Sequence, residues 1–164
     1  MMDDYGVDET MSTLEELEKK YKELGEEIEK LKAEKENEPW KPKDGEEYWF
    51  IYHSGAVLSI SWHGEPVDEK RYAIGNVFKT EEEAEFRVGQ LKVEAELRRF
   101  SRPFDENKNN FQLIYSHLSH KVAIDSCTYI LLTNMHFPSE EIAQKAIDTV
   151  GEERIKKYYF GVEE

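Results

Sequence analysis

The apolar positions of the chain change rhythm three times. Leu14, Leu17, Tyr21, Leu24, Ile28 and Leu31 recur at intervals of 3, 4, 3, 4 and 3, which places all six on one narrow stripe of a helix. Thr13 followed by Glu16 reads as a capping box. Glu15/Lys19, Glu16/Lys20, Glu18/Lys22 and Glu26/Lys30 are favourable pairs four residues apart. This pattern predicts a helix from about residue 13 that stops before Pro39, because proline disfavours helical backbone in the residue before it. With an apolar residue at every a and d position, the stripe has the form of a coiled-coil seam. It would run for roughly 36 Å at 1.5 Å per residue, so something must cover it: the chain's own folded domain, a second copy, or a foreign helix.

After residue 45 the period becomes two. Residues 48–52 form an aromatic run, 53–55 look like a turn, and Ala56, Leu58, Ile60 and Trp62 alternate with Val57, Ser59 and Ser61, which predicts a hairpin with one buried face. Residues 64–70 read as a polar loop and 71–78 as a third strand. Residues 80–100 then return to helical form, with Thr80 and Glu83 as a capping box and arginines at the far end. Ala84, Val88, Leu91, Ala95 and Leu97 make its expected inward face.

The second half repeats this plan. Residues 111–115 correspond to 48–52 at an offset of 63, and the helix entry at 137–143 echoes 78–84 at an offset of 59. Strands are expected at 122–124 and 129–133, a helix over 140–150 ending at Gly151, and a short final helix over 152–160. The fold class is therefore α+β: a coiled-coil-like N-terminal helix, then two successive strand-strand-strand-helix units with antiparallel sheet. The expected organisation is a disordered acidic tail (1–12), the helix (13–38), a linker (39–45) and the α+β domain (46–164), with units at about 46–100 and 109–160.

The chain has 164 residues, room for one ordinary domain and a helical appendage. Its net charge of −14 is spread over both parts: residues 1–40 carry 14 acidic against 6 basic side chains, and the remainder 22 against 16. Binding to nucleic acid rests largely on Lys and Arg neutralising phosphates, so direct nucleic-acid binding is disfavoured, and docking on anionic membranes likewise. The acidic opening lacks the basic and apolar regions of a signal peptide, and the single cysteine, Cys127, suits a reducing cytoplasm.

Candidate chemistry is sparse. His117, His120, Cys127 and His136 are ligand types without the spacing of a zinc site; the reading here is ordinary surface or turn histidines. Cys127 with Asp125 and His117 or His120 has the residue types of a nucleophilic site, but its apolar surroundings favour an inert thiol. Glycine-rich phosphate loops and dinucleotide fingerprints are absent, so no cofactor is expected. Trp49, Trp62, Arg71, Tyr72, Arg98 and Arg102, together with Trp40 and Phe104, supply the aromatic and cationic groups of a nucleotide pocket. The acidic surface offers DNA mimicry as a further alternative, although Glu interleaved with Lys usually marks a solvated face.

Three segments, GNVFKTEEEAE (75–85), KVEAELRRF (92–100) and FPSEEIAQKAIDTVGEERIKKYYFGV (137–162), together with the WKPKDGEEYW junction (40–49), resemble accessory proteins of phages and prophages of Gram-positive bacteria. The resemblance implies an inhibitor of a bacterial immune system; with the helical stripe and the lack of catalytic constellations, the expectation is a non-enzymatic protein that acts by protein contact in the host cytoplasm. Its expected partners are a second copy of itself, through Leu14, Leu17, Tyr21, Leu24, Ile28 and Leu31, and a host defence protein. A protein that sequesters a nucleotide immune signal is the alternative.

Overall fold

The structure, a computed structural model, describes residues 7–36, 39–130 and 135–162, with side chains in the first segment described for residues 16–32. The chain divides into two units, residues 1–41 and 42–164.

The first unit is one helix, α1 (Val7–Glu36). It begins earlier than the expected capping box, so Thr13 lies inside the helix and residues 7–12 are helical; residues 1–6 of the expected tail lie outside the described residues. Lys19–Glu23 and Lys32–Glu29 pair along the surface at 4.0 and 2.9 Å.

The second unit mixes helices with two antiparallel two-stranded sheets. The first sheet pairs β1 (Glu47–Ile51) with β2 (Val57–Ser61), Trp49 opposite Ser59. A short helix, α2 (Pro66–Ala73), replaces the loop and most of the third strand expected over 64–78. Pro66 sits at the first helical turn, and the Asp68 carboxylate accepts the Glu65 N–H at 3.2 Å. The expected strand survives only at its end. Trp49 and Phe78 exchange backbone hydrogen bonds at 2.9 and 2.8 Å, and the Asn76 side-chain amide continues the ladder by accepting Ile51 N–H and donating to Ile51 O.

Helix α3 (Glu81–Arg98) follows, capped by Thr80, whose hydroxyl accepts Glu83 N–H. Then β3 (Asn110–Ser116) pairs with β4 (Lys121–Cys127). The segment that enters the next helix joins β3 by an isolated bridge, Phe111 with Phe137. Of the expected strand over 129–133, Tyr129 and Ile130 are not in a strand, and 131–133 lie outside the described residues. Helix α4 (Glu140–Val150) is capped by Ser139 as α3 is by Thr80. Helix α5 (Glu152–Arg154) runs on into a π-helical turn, Ile155–Tyr159.

The equivalent bridge residues Trp49 and Phe111 lie 62 apart rather than 63. One residue matters in a strand, because it exchanges the two faces. At the corrected offset the buried Tyr48 and Phe50 correspond to the buried Asn110 and Gln112.

The main core joins Val93 and Leu97 of α3, Leu113 of β3, Met135, Phe137, four residues of α4 and Ile155. On α3 the buried residues are Ala84, Val93 and Leu97, while Leu91 and Ala95 are exposed. The inward face is therefore rotated from the expected one, toward a row through Phe86, Gly89, Val93 and Leu97. Tyr158 of the π turn lies against Gly89 and Phe86.

Candidate functional site

The strongest unmatched feature is the apolar row of α1. Leu17, Tyr21, Leu24, Ile28 and Leu31 are 63, 84, 58, 46 and 57% exposed; the Leu14 side chain lies outside the described residues. Scattered exposed leucines are ordinary on a protein surface, whereas five in one helical row form a continuous apolar strip. The row results from the 3-4 spacing alone, since it is a geometric property of any helix built from this sequence.

The six residues of the expected nucleotide pocket fall into different networks. Trp62, Tyr72 and Arg71 gather around β1 and α2. Trp62 is buried and meets Tyr48 and Tyr72 edge-on at 5.7 and 6.2 Å. Arg71 donates to the Tyr48 hydroxyl at 2.8 Å and stacks 3.8 Å from the Phe50 ring centre. Tyr48 in turn donates to Asp68 Oδ1 at 2.7 Å, and Asp68 Oδ2 accepts the N–H groups of His63 and Glu65, each at 3.2 Å. Burial works against the Asp68 charge, but these donors and Arg71 outweigh it and hold the carboxyl below its ordinary value. Burial and the Asp68 bond push the Tyr48 phenol up. Trp49 is next to Tyr48 in β1 and so projects from the opposite face of the hairpin.

Arg98 pairs with Glu94 at 3.8 Å. Arg102 is engaged by the loop that follows it, donating to the carbonyls of Pro103 and Asn109 and to Asn110 Oδ1. These arginines hold their own local structure, and the arrangement is that of fold-stabilising groups.

The histidines divide. His117 and His120 lie in the β3–β4 turn, His117 edge-on to Tyr115 at 5.1 Å and His120 within 3.2 Å of the Tyr115 hydroxyl. His136 departs from the expected surface role: it is fully buried, its ring meets Phe104 edge-on at 5.3 Å, and neither ring nitrogen has a hydrogen-bond partner among the described residues. Its backbone bridge to Arg102 and its position beside Phe137, one of the core residues, place it inside. Among the described residues no group of three His, Cys, Asp or Glu is gathered as a metal site.

Cys127 ends β4 and is 4% exposed. Burial, then the charge of Asp125, pushes its thiol up, so it is held in the neutral, unreactive form. Alkylation at neutral pH is expected to be at least about tenfold slower in the native chain than in the denatured one. Equal rates, followed by mass spectrometry, would show that the thiol is not protected.

A cleft of about 540 Å³ lies among Val57, Glu81, Glu85, Gly89, Lys92 and Tyr158. Arg154, on its rim, is occupied by a two-pronged ion pair to Glu96 at 2.8 and 2.9 Å. Among the described residues no helix is long and apolar enough to cross a membrane.

Comparison of the chain with protein-family models, with curated proteins and with solved structures finds no match.

Proposed function

We propose that the chain is a non-enzymatic binding protein that assembles with a second copy of itself through α1 and uses its α+β unit to grip a protein partner. The observation that carries this reading is the exposed row Leu17, Tyr21, Leu24, Ile28 and Leu31. Fully burying each such side chain is worth about 1.5–3 kcal/mol, so a paired seam gains on the order of 10 kcal/mol, enough to offset the several kcal/mol lost on association.

The sequence beside the seam suits a parallel pair. With Leu14, Tyr21 and Ile28 at a and Leu17, Leu24 and Leu31 at d, Leu at every d position and a β-branched Ile28 at a are compatible with two strands. Glu27 then faces Lys32 of the copy, Lys20 faces Gly25, and no like charges oppose across these positions. The resemblance to phage accessory proteins names the class of partner: a host defence protein in the bacterial cytoplasm, bound and inhibited by the assembled molecule.

Light scattering tests the assembly. The intact chain is expected at about twice its 19.4 kDa mass. A variant carrying Leu17→Asp, Leu24→Asp and Ile28→Asp should lose at least tenfold in self-affinity and lose inhibition in a phage-plating assay on a defended host. Identical masses for the two proteins would remove α1 from the assembly.

A further inference from the structure

The loop that leads into β3 builds a cleft of about 650 Å³ from Phe104, Glu106, Asn109 and Phe111, with Ser126 and Thr128 around the end of β4. Its frame is already in place. The buried Asn110 amide is fixed by Arg102 and by the carbonyls of Asp105 and Lys108, and Phe111 is tied in both directions to the backbone of Phe137. Phe104 rests edge-on against the fully buried His136 ring at 5.3 Å. A cleft held by its own scaffold spends little binding energy on ordering.

The lining offers acceptors and no spare cation. Lys108, the basic residue of this wall, is paired with Asp105 at 3.1 Å. Arg102 lines a neighbouring cleft and is spent on the carbonyls of Pro103 and Asn109 and on Asn110. The Glu106 carboxylate, the Asn109 amide and the hydroxyls of Ser126 and Thr128 are left over: among the described residues, these side chains form no hydrogen bond or ion pair.

Two phenyl rings beside a carboxylate and neutral acceptors attract a cation. Guanidinium suits this set better than ammonium, because its flat fork stacks on a ring while its N–H groups reach several acceptors in one plane. The net charge of −14 also draws cations toward the chain and repels anions.

We infer that this cleft receives an arginine side chain presented by the protein that the α+β unit grips, with the guanidinium against the phenyl rings and hydrogen-bonded to Glu106. The inference rests on the proposal of a protein partner and names what that partner must offer, an arginine protruding from its surface.

The test titrates the full chain with N-acetyl-arginine amide, followed by amide NMR spectra, beside the citrulline and lysine amides. Citrulline keeps the planar shape and loses the charge. The arginine compound is expected to bind at least about tenfold tighter than the citrulline compound and about threefold tighter than the lysine compound, with shifts confined to residues 104–111 and 126–128. Glu106→Gln, which neutralises an exposed side chain outside the core, should weaken arginine binding about fivefold. Phe104→Leu keeps an apolar group on His136 but removes the π face, and should weaken it about threefold. Equal binding of the citrulline amide, or an arginine affinity unchanged by Glu106→Gln, would overturn the assignment. Glu106→Gln that loses the amide yet keeps full inhibition in the plating assay would show that the partner does not enter this cleft. Failure of the α1 reading appears elsewhere, as an unchanged light-scattering mass in the Asp variant, and leaves the titration untouched.

Discussion

Asp68→Ala is expected to lower the unfolding free energy by about 3 kcal/mol, the scale for stripping the acceptor from buried donors. The carboxylate is the common acceptor for the Tyr48 hydroxyl and the His63 and Glu65 N–H groups, with Arg71 3.8 Å away. Removing it leaves the buried Tyr48 hydroxyl and the part-buried His63 and Glu65 N–H groups without this acceptor. Asp68→Asn should be milder, at about 1 kcal/mol, because the amide oxygen can still accept the two N–H groups while its nitrogen donates to a reoriented Tyr48 hydroxyl. The order of the two variants is the informative part: urea denaturation showing Asn as damaging as Ala would mean that charge, rather than the acceptor set, holds the site.

The same carboxylate gives a pH signature. Its folded value lies below its unfolded one, so its contribution is present above about pH 4, the ordinary carboxylate range, and is lost as the pH falls through the folded value. The wild-type chain should therefore lose stability below pH 4 more steeply than Asp68→Asn. Parallel curves would show that Asp68 binds its proton alike in both states.

Gly89→Ala is expected to destabilise the chain by about 2 kcal/mol, although alanine is the better helix former by about 1 kcal/mol. A Cβ at residue 89 would overlap the Tyr158 ring, coming within 2.7 Å of Cζ and closer to Cε1 and Cδ1. The ring is rigid, meets Phe86 at a tilt of 43° with 5.4 Å between ring centres and belongs to the π turn whose Ile155 is fully buried, so it moves only with its neighbours. Tyr158→Ala should suppress most of the added cost, making the pair strongly non-additive. Gly89→Ala as stable as wild type in thermal unfolding would show that the π turn yields freely.

Gly89 also explains why the inward face of α3 was misplaced. A periodicity count registers side chains, and this face passes through a residue that has none; the apolar group filling the gap comes from Tyr158, nearly 70 residues further along the chain. Leu91 and Ala95 completed a plausible row in its absence. Helix α2 was missed for a related reason. Glu65 is a weak start signal, and the residue that organises the first turn, Asp68, acts in concert with Tyr48 of β1. His136 gave no signal at all, since a lone histidine between Met135 and Phe137 reads the same exposed or buried.

What the sequence determined by itself are those elements in which local period and capping agree. The helical row of α1, the hairpin at 47–61 and the two hydroxyl-capped helices α3 and α4 recur in the structure, because backbone geometry turns spacing directly into a face and a capping hydroxyl satisfies the first free N–H groups. Only the tertiary structure decided how the elements use those faces. It dispersed Trp49, Trp62, Arg71, Tyr72, Arg98 and Arg102 into separate networks. It reduced the strand expected over 71–78 to a single bridge, sealed one sheet edge with the Asn76 amide and left backbone groups of β2 unpaired on its outer side. Contacts between residues distant in sequence follow from packing, which no local pattern encodes.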